Sequence, residues 1–342
     1  MKTPLGLLAF SFALASAAAA PDARTIDAQD AKASAKAKPH GVPHVYKTVG
    51  DRGLRVFVLN PPDWKATDRR PAIVWFHGGG WEIGKGGPTS FNAQGEYFIT
   101  RGVVSIQVEY RLIANNRKEA PIVSSLDAKS AMRWVRSHAE ELGVDPKRIA
   151  AGGGSAGGHL AAFVGMVEGT DDPADDLKVS CRPAAMLLYN PALLGRDLSE
   201  PRAAETAKPT VASSLVKQYE AISPFLNVSP DDPPGIILVG DQDGVLPLSE
   251  LKRFLALCKT AGVRMDSVVY PGEGHSFFGI ARSLDRFFDT TIEVDKFLGS
   301  LGWVQGPPTL TREFVNRLAV GVTHAPNKSE RERKKAKPGQ KN

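Results

Sequence analysis

Between residues 45 and 301 the chain alternates short, β-branched apolar runs with longer stretches of helical periodicity, and this alternation restricts the fold more than any other feature. Parallel strands must be joined by crossovers, and helical crossovers cover the faces of the sheet they connect. Strands are expected at LRVFVLNP (54–61), at the start of PAIVWFHGGGW (71–81), within GVVSIQVEYRL (102–112), and at RIAAGG (148–153). Three more follow within AAMLLYNPAL (184–193), GIILVGD (235–241) and MDSVVYPG (265–272). Their near-continuous hydrophobicity marks strands buried on both faces. In SSLDAKSAMRWVRSHAEELG, Leu126, Ala128, Met132, Val135, Ala139 and Leu142 fall near helical spacing, and Gly143 supplies a stop. Further helices are expected from SAGGHLAAFVGMV, from LSELKRFLALCKTAG, and from about Arg282 to Leu301. The expected class is α/β, a mostly parallel sheet flanked by helices.

Composition sets the outer bounds. A chain of 342 residues with 42% hydrophobic content can bury a large core, in one big domain or two small ones. Residues 1–20 have the layout of a signal peptide, with Lys2, an apolar run and then small residues, so a secreted or periplasmic protein is expected. The apolar run is too short for the ~20 residues of a membrane span, and no stable membrane insertion is expected. A polar linker over 21–44 leads into a catalytic domain over 45–302, and 303–342 forms a C-terminal extension. The formal net charge of +6 is concentrated at the ends. KSERERKKAKPGQKN (328–342) carries seven basic and two acidic residues, and Lys2 adds one more charge, which leaves the body neutral. Nothing therefore encodes a basic surface for nucleic acid. The tail has almost nothing apolar to bury and is expected to be solvated and disordered, with contact to acidic polysaccharide or anionic lipid as the alternative. Cys181 and Cys258 can form one optional disulfide or stay as two buried thiols. No Cys and His spacing suggests a metal site. Over 195–224 the pattern lapses into polar residues, marking a candidate lid or a plain surface connection.

The chemistry is concentrated in GGGSAGGHLA (152–161), where one serine stands among five glycines. Residues 153–157 form a Gly-x-Ser-x-Gly element between an expected strand and an expected helix. A sharp strand-to-helix turn strains the central residue, and its neighbours two positions away must lack a Cβ for the two elements to approach. Such a turn lifts Ser155 to the carboxyl edge of the sheet, where ligands of open α/β sheets bind, and to a helix start that favours negative charge. A serine needs a base, and an acyl-transfer transition state needs hydrogen-bond donors for its oxyanion. The loop HGGGW (77–81) offers the N–H groups of Gly78 and Gly79, to which the N–H of Ala156 is added.

Among seven histidines, His275 in YPGEGHSFFG follows the last expected strand and can hang over the sheet edge, so it is the expected base. His77 is expected to orient its loop and His159 to pack within its helix. A carboxylate should fix the imidazole, and GDQDGVLP offers Asp241 and Asp243. Asp243 is preferred because it lies further into the loop, whereas Asp241 can cap or end the strand. The order Ser155, Asp243, His275 is the one such a fold requires.

Taken together, HGGGW, EYRL, DAKSAMRWVR, GGGSAGGHLA, GDQDGVLP and YPGEGHSFFG resemble the α/β-hydrolase superfamily over about residues 45–300. Within it they resemble the bacterial acetyl-esterase and lipase-like branch related to hormone-sensitive lipase and to secreted carbohydrate esterases. The resemblance implies an eight-stranded, mostly parallel sheet with a variable cap, no cofactor, and hydrolysis of a small-molecule or carbohydrate ester. Many relatives of hormone-sensitive lipase carry an acidic residue before the nucleophile; Gly154 stands there instead, closer to the acetylxylan and feruloyl esterase type. Asp127 and Arg133 match the family's crossing helix and are expected to form a structural ion pair. Two other readings are a lipase or peptidase on the same scaffold, and a non-catalytic polysaccharide-binding homologue.

Overall fold

The computed structural model describes residues 38–195, 213–320 and 322. Eight strands build one sheet: β1 (Val42–Val49), β2 (Arg52–Leu59), β3 (Arg70–Phe76), β4 (Val104–Val108), β5 (Val144–Gly154), β6 (Ala185–Tyr189), β7 (Gly235–Gly240) and β8 (Met265–Tyr270). Their spatial order is β1-β2-β4-β3-β5-β6-β7-β8. β1 and β2 pair antiparallel, as do β2 and β4, and every pairing from β4 to β8 is parallel. The helices are α1 (Asn92–Thr100), α2 (Ile122–Ser137), α3 (Ala156–Met166), α4 (Ser213–Glu220), α5 (Leu248–Ala261), α6 (Leu284–Ser300) and α7 (Arg312–Leu318).

Period-two alternation along the central strands divides the core into two layers. Val74, Phe76, Ile106, Ala151, Leu188 and Val239 point to one face, where they meet α2, α3 and α5 through Met132, Leu160 and Phe254. Ile73, Trp75, Ala150, Leu187 and Leu238 point to the other, where Phe98, Phe287 and Leu298 of α1 and α6 cover them. Because both faces are covered, β3, β4, β6 and β7 are buried almost throughout, which is why their sequences read as unbroken apolar runs.

Two domain boundaries move. β1 begins at Val42, inside the stretch expected to be linker, and pairs along its length with β2. Over residues 303–318 the chain stays on the body: Val304, Leu310 and Val315 are buried in the layer under α6, and Thr311 caps α7 by accepting from the Phe314 N–H. Cys181 and Cys258 are both free thiols. Asp127 and Arg133 are ion-paired, but not with each other: Asp127 meets Arg111 at 2.7 Å and Lys47 at 3.0 Å, and Arg133 meets Asp171 and Asp175. The expected signal peptide, most of the candidate lid (196–212) and the basic tail lie outside the described residues. The described part of the lid packs on the body, with Leu215 and Tyr219 buried and the Tyr219 hydroxyl donating to the Asn116 carbonyl. Among the described residues no helix is long and apolar enough to cross a membrane.

Candidate active site

β5 runs straight into α3, and Ser155 is the single residue between them, at φ 54° and ψ −119°. A non-glycine residue with positive φ is uncommon and strained, so the surroundings must impose it. They do so by close approach. A Cβ on Gly157 would lie 2.0 Å from the Phe76 carbonyl oxygen and 2.5 Å from that of His77; one on Gly153 would lie 2.3 Å from the Gly157 oxygen. Only with both positions bare can the first turn of α3 press against the end of β3. Position 154 is closed for another reason: the Phe278 ring stands 2.5 Å from where its Cβ would be.

Three loops converge on this turn, two with side chains and one with backbone. His275, from the loop after β8, places Nε2 2.7 Å from the Ser155 hydroxyl oxygen. Its Nδ1 lies 3.0 and 2.9 Å from the two carboxylate oxygens of Asp243, which comes from the loop after β7. With Nδ1 donating to the carboxylate, Nε2 is left as the acceptor for the serine proton. The Asp243 carboxylate is itself fixed, since Oδ1 accepts from the N–H groups of Val245 at 2.7 Å and Leu246 at 3.0 Å. Asp241 faces elsewhere: it accepts from the Gly272 N–H at 2.8 Å and so ties the β7 loop to the β8 loop. All three of Ser155, Asp243 and His275 are buried.

The third loop is HGGGW. A Cβ on Gly78 would lie 3.5 Å from that of Ser155, so this backbone runs beside the serine, and Gly79 turns it at φ 109°. Among the described residues the N–H groups of Gly78, Gly79 and Ala156 have no hydrogen-bond acceptor. His77 holds the loop from within, its Nδ1–H donating to the Gly78 carbonyl at 2.8 Å, while the Tyr110 hydroxyl donates to the His77 carbonyl at 2.6 Å. His159 packs edge-on to Trp81 and its Nε2–H donates to the Ile222 carbonyl at 2.9 Å, which joins α3 to the segment after α4. Burial lowers both His77 and His159 from 6.5 to about 4, so each is neutral in the folded protein. Sequence reasoning missed Asn190, whose side-chain amide lies against the His275 ring. No motif signals it.

A hydroxyl hydrogen-bonded to an imidazole, a carboxylate behind that imidazole and a row of open N–H groups form the arrangement for acyl transfer through a serine. Among the described residues no group of three or more His, Cys, Asp or Glu could hold a metal ion. The sequence model of the BD-FAE family matches residues 59–256, more than half of the chain and inclusive of Ser155 and Asp243. The chain belongs to the BD-FAE family. The fold is shared with α/β-hydrolase esterases. Thermogutta terrifontis esterase 2 phosphorylated by paraoxon is similar at TM-score 0.68 and 37% identity, covering 78% of this chain and 96% of that one. Its propionate-bound form gives TM-score 0.69 at 37% identity, covering 78% and 97%. "Probable carboxylic ester hydrolase LipM" of Mycobacterium tuberculosis is 28% identical over 276 residues, 73% of this chain. Carboxylesterase NlhH of the same organism is 37% identical over 124 residues, 35% of this chain. The BD-FAE chain spans 59% of the length of LipM and 37% of that of NlhH.

Two outcomes follow for the folded state. Gly157→Ala should destabilise the protein by about 3 kcal/mol or more, because the clash is with backbone carbonyls that cannot move aside; chemical denaturation measures it, and a loss under about 1 kcal/mol would contradict the packing described. Because the folded values of His77 and His159 are depressed, unfolding takes up protons between pH 6.5 and about 4. Their contribution is complete above pH 6.5 and drains away as pH falls toward 4. Thermal melts from pH 7.5 to 4.5 should show a falling midpoint, with a shallower fall in His159→Gln; an equal slope in that variant would show the buried imidazole to be irrelevant.

Proposed function

We propose that this BD-FAE chain is a serine carboxylic ester hydrolase working through Ser155, His275 and Asp243. One observation carries the reading: a single imidazole contacts the Ser155 hydroxyl at 2.7 Å through one nitrogen and the Asp243 carboxylate at 2.9 Å through the other. The named activities of LipM, NlhH and Thermogutta terrifontis esterase 2 support it.

In the first half-reaction His275 takes the Ser155 proton as the serine oxygen attacks the ester carbonyl. The carbonyl oxygen becomes an oxyanion facing the N–H groups of Gly78, Gly79 and Ala156, and each such donor is worth ~2.7–4 kcal/mol in the transition state. Collapse breaks the bond to the alcohol oxygen, and His275 returns the proton to that leaving group. Water then attacks the acyl-serine with His275 again as base, and the acid departs. Asp243 holds the Nδ1–H tautomer and stabilises the imidazolium. No cofactor enters.

The substrate class is read more finely as short acyl groups, acetyl esters of carbohydrates among them. Gly154 before the nucleophile favours the carbohydrate reading, and the propionate-bound relative favours a small acyl group. The signal-peptide layout of residues 1–20 supports a reading of export to the periplasm or medium.

Hydrolysis of p-nitrophenyl acetate tests the reading. Ser155→Ala should lower kcat/KM by about 10⁴-fold or more, and Asp243→Asn by about 10⁴-fold. Asp241→Asn should cost less than about tenfold, since it braces loops without touching the imidazole. Normal turnover by Ser155→Ala, or a greater loss at Asp241 than at Asp243, would overturn the assignment. Release of acetate from acetylated xylan fragments, measured beside simple esters, tests the carbohydrate reading.

A further inference from the structure

Asn190 stands immediately after β6 with φ 35°, a left-handed conformation that asparagine tolerates better than most residues. It is fully buried, and its backbone N–H donates to the Leu238 carbonyl at 2.7 Å. Its side-chain Nδ2 lies 3.3 Å from His275 Nδ1 and 3.5 Å from Nε2. Each of those nitrogens already has a partner, Asp243 for one and Ser155 for the other. A group nearly equidistant from both would overlap the carbon between them if it lay in the ring plane. The amide therefore lies over the ring face, on the side that carries the two nitrogens.

We propose that Asn190 is a positioning residue that restrains the basicity of His275, a role that rests on the reading of His275 as the general base. An amide N–H against the ring face is attracted to the electron-rich neutral imidazole and repelled by the imidazolium, and burial strengthens both effects. The Asp243 carboxylate acts in the opposite sense by stabilising the imidazolium. Asn190 thus keeps the resting base neutral, and competent to take the serine proton, to a lower pH than the carboxylate pair alone would set. Asn190 Oδ1 is buried with no hydrogen-bond partner among the described residues, so no hydrogen bond through that atom accounts for a polar side chain here.

Other charged and titratable groups stand near the ring. In the His275 loop itself, Glu273 is buried and ion-paired with Arg286 of α6 at 2.8 Å, and Arg282 is buried further along. Asp241, from the β7 loop, is engaged with the Gly272 N–H. From the β3 loop, His77 is kept uncharged by its burial.

The test is the pH profile of kcat/KM on p-nitrophenyl acetate for the intact protein and for Asn190→Leu, which replaces the amide by an apolar group of similar size. The midpoint of the acid limb should rise by about 0.5–1 pH unit. Asn190→Gly, which fits the left-handed backbone, is a second variant with the same expected direction, and thermal melts establish which variants are folded. An acid-limb midpoint that stays in place or falls in the folded variants overturns the proposal, whatever happens to the plateau rate. Failure of the functional reading looks different: the unaltered protein would turn over no ester, or Ser155→Ala would turn it over normally.

Discussion

The contact between the first turn of α3 and the end of β3 governs the rest of the molecule. Gly157 lets the helix backbone come so near the Phe76 and His77 carbonyls that any side chain would intrude on them. That approach leaves no room for a gradual bend, so β5 must reverse into α3 through one residue, and the strain falls on Ser155 at φ 54°. The same approach sets the HGGGW backbone beside the serine. Ser155 and the proposed oxyanion donors are therefore positioned by a single packing event rather than by separate loops.

The sheet supplies the other two side chains. Because β5, β6 and β7 run parallel and in register, their carboxyl ends form one edge, and the loops after β5, β7 and β8 converge there. Asp241 ties the last two together through Gly272, while Asp243 is fixed by two N–H groups of its own turn. Charge within this buried edge is confined to groups with partners. The histidines that brace it, His77 and His159, are held neutral by burial, so they support the site without competing for its proton.

The sequence made the central strands, the serine turn and the order of the three key side chains legible, because each rests on local pattern: apolar runs, glycine spacing, and loops that follow strands. What it hid depends on tertiary partners. β1 (VPHVYKTV) is an edge strand with every residue at least partly exposed, so it lacks the apolar signature, and its first three residues read as linker. α1 contains Gly95 mid-helix, a residue that weakens helical pattern but lets the helix lie on Ser105 of β4. Asp127 and Arg133 looked like partners by family position, yet the counter-ions of Arg133 are Asp171 and Asp175, distant in sequence, and those of Asp127 are Lys47 and Arg111. Asn190 ends an ordinary strand, and only the fold brings it to the His275 ring.

The account stands on the Ser155 hydroxyl being activated by the His275 imidazole at a strained turn. Covalent capture measures that most directly: the protein is treated with paraoxon and the modified peptide is identified by mass spectrometry, with the labelling rate compared between the unaltered protein and His275→Ala. One adduct on Ser155, formed at least about 10³-fold more slowly without the imidazole, is the predicted result. A label on another residue, or equal rates in the two proteins, would contradict it.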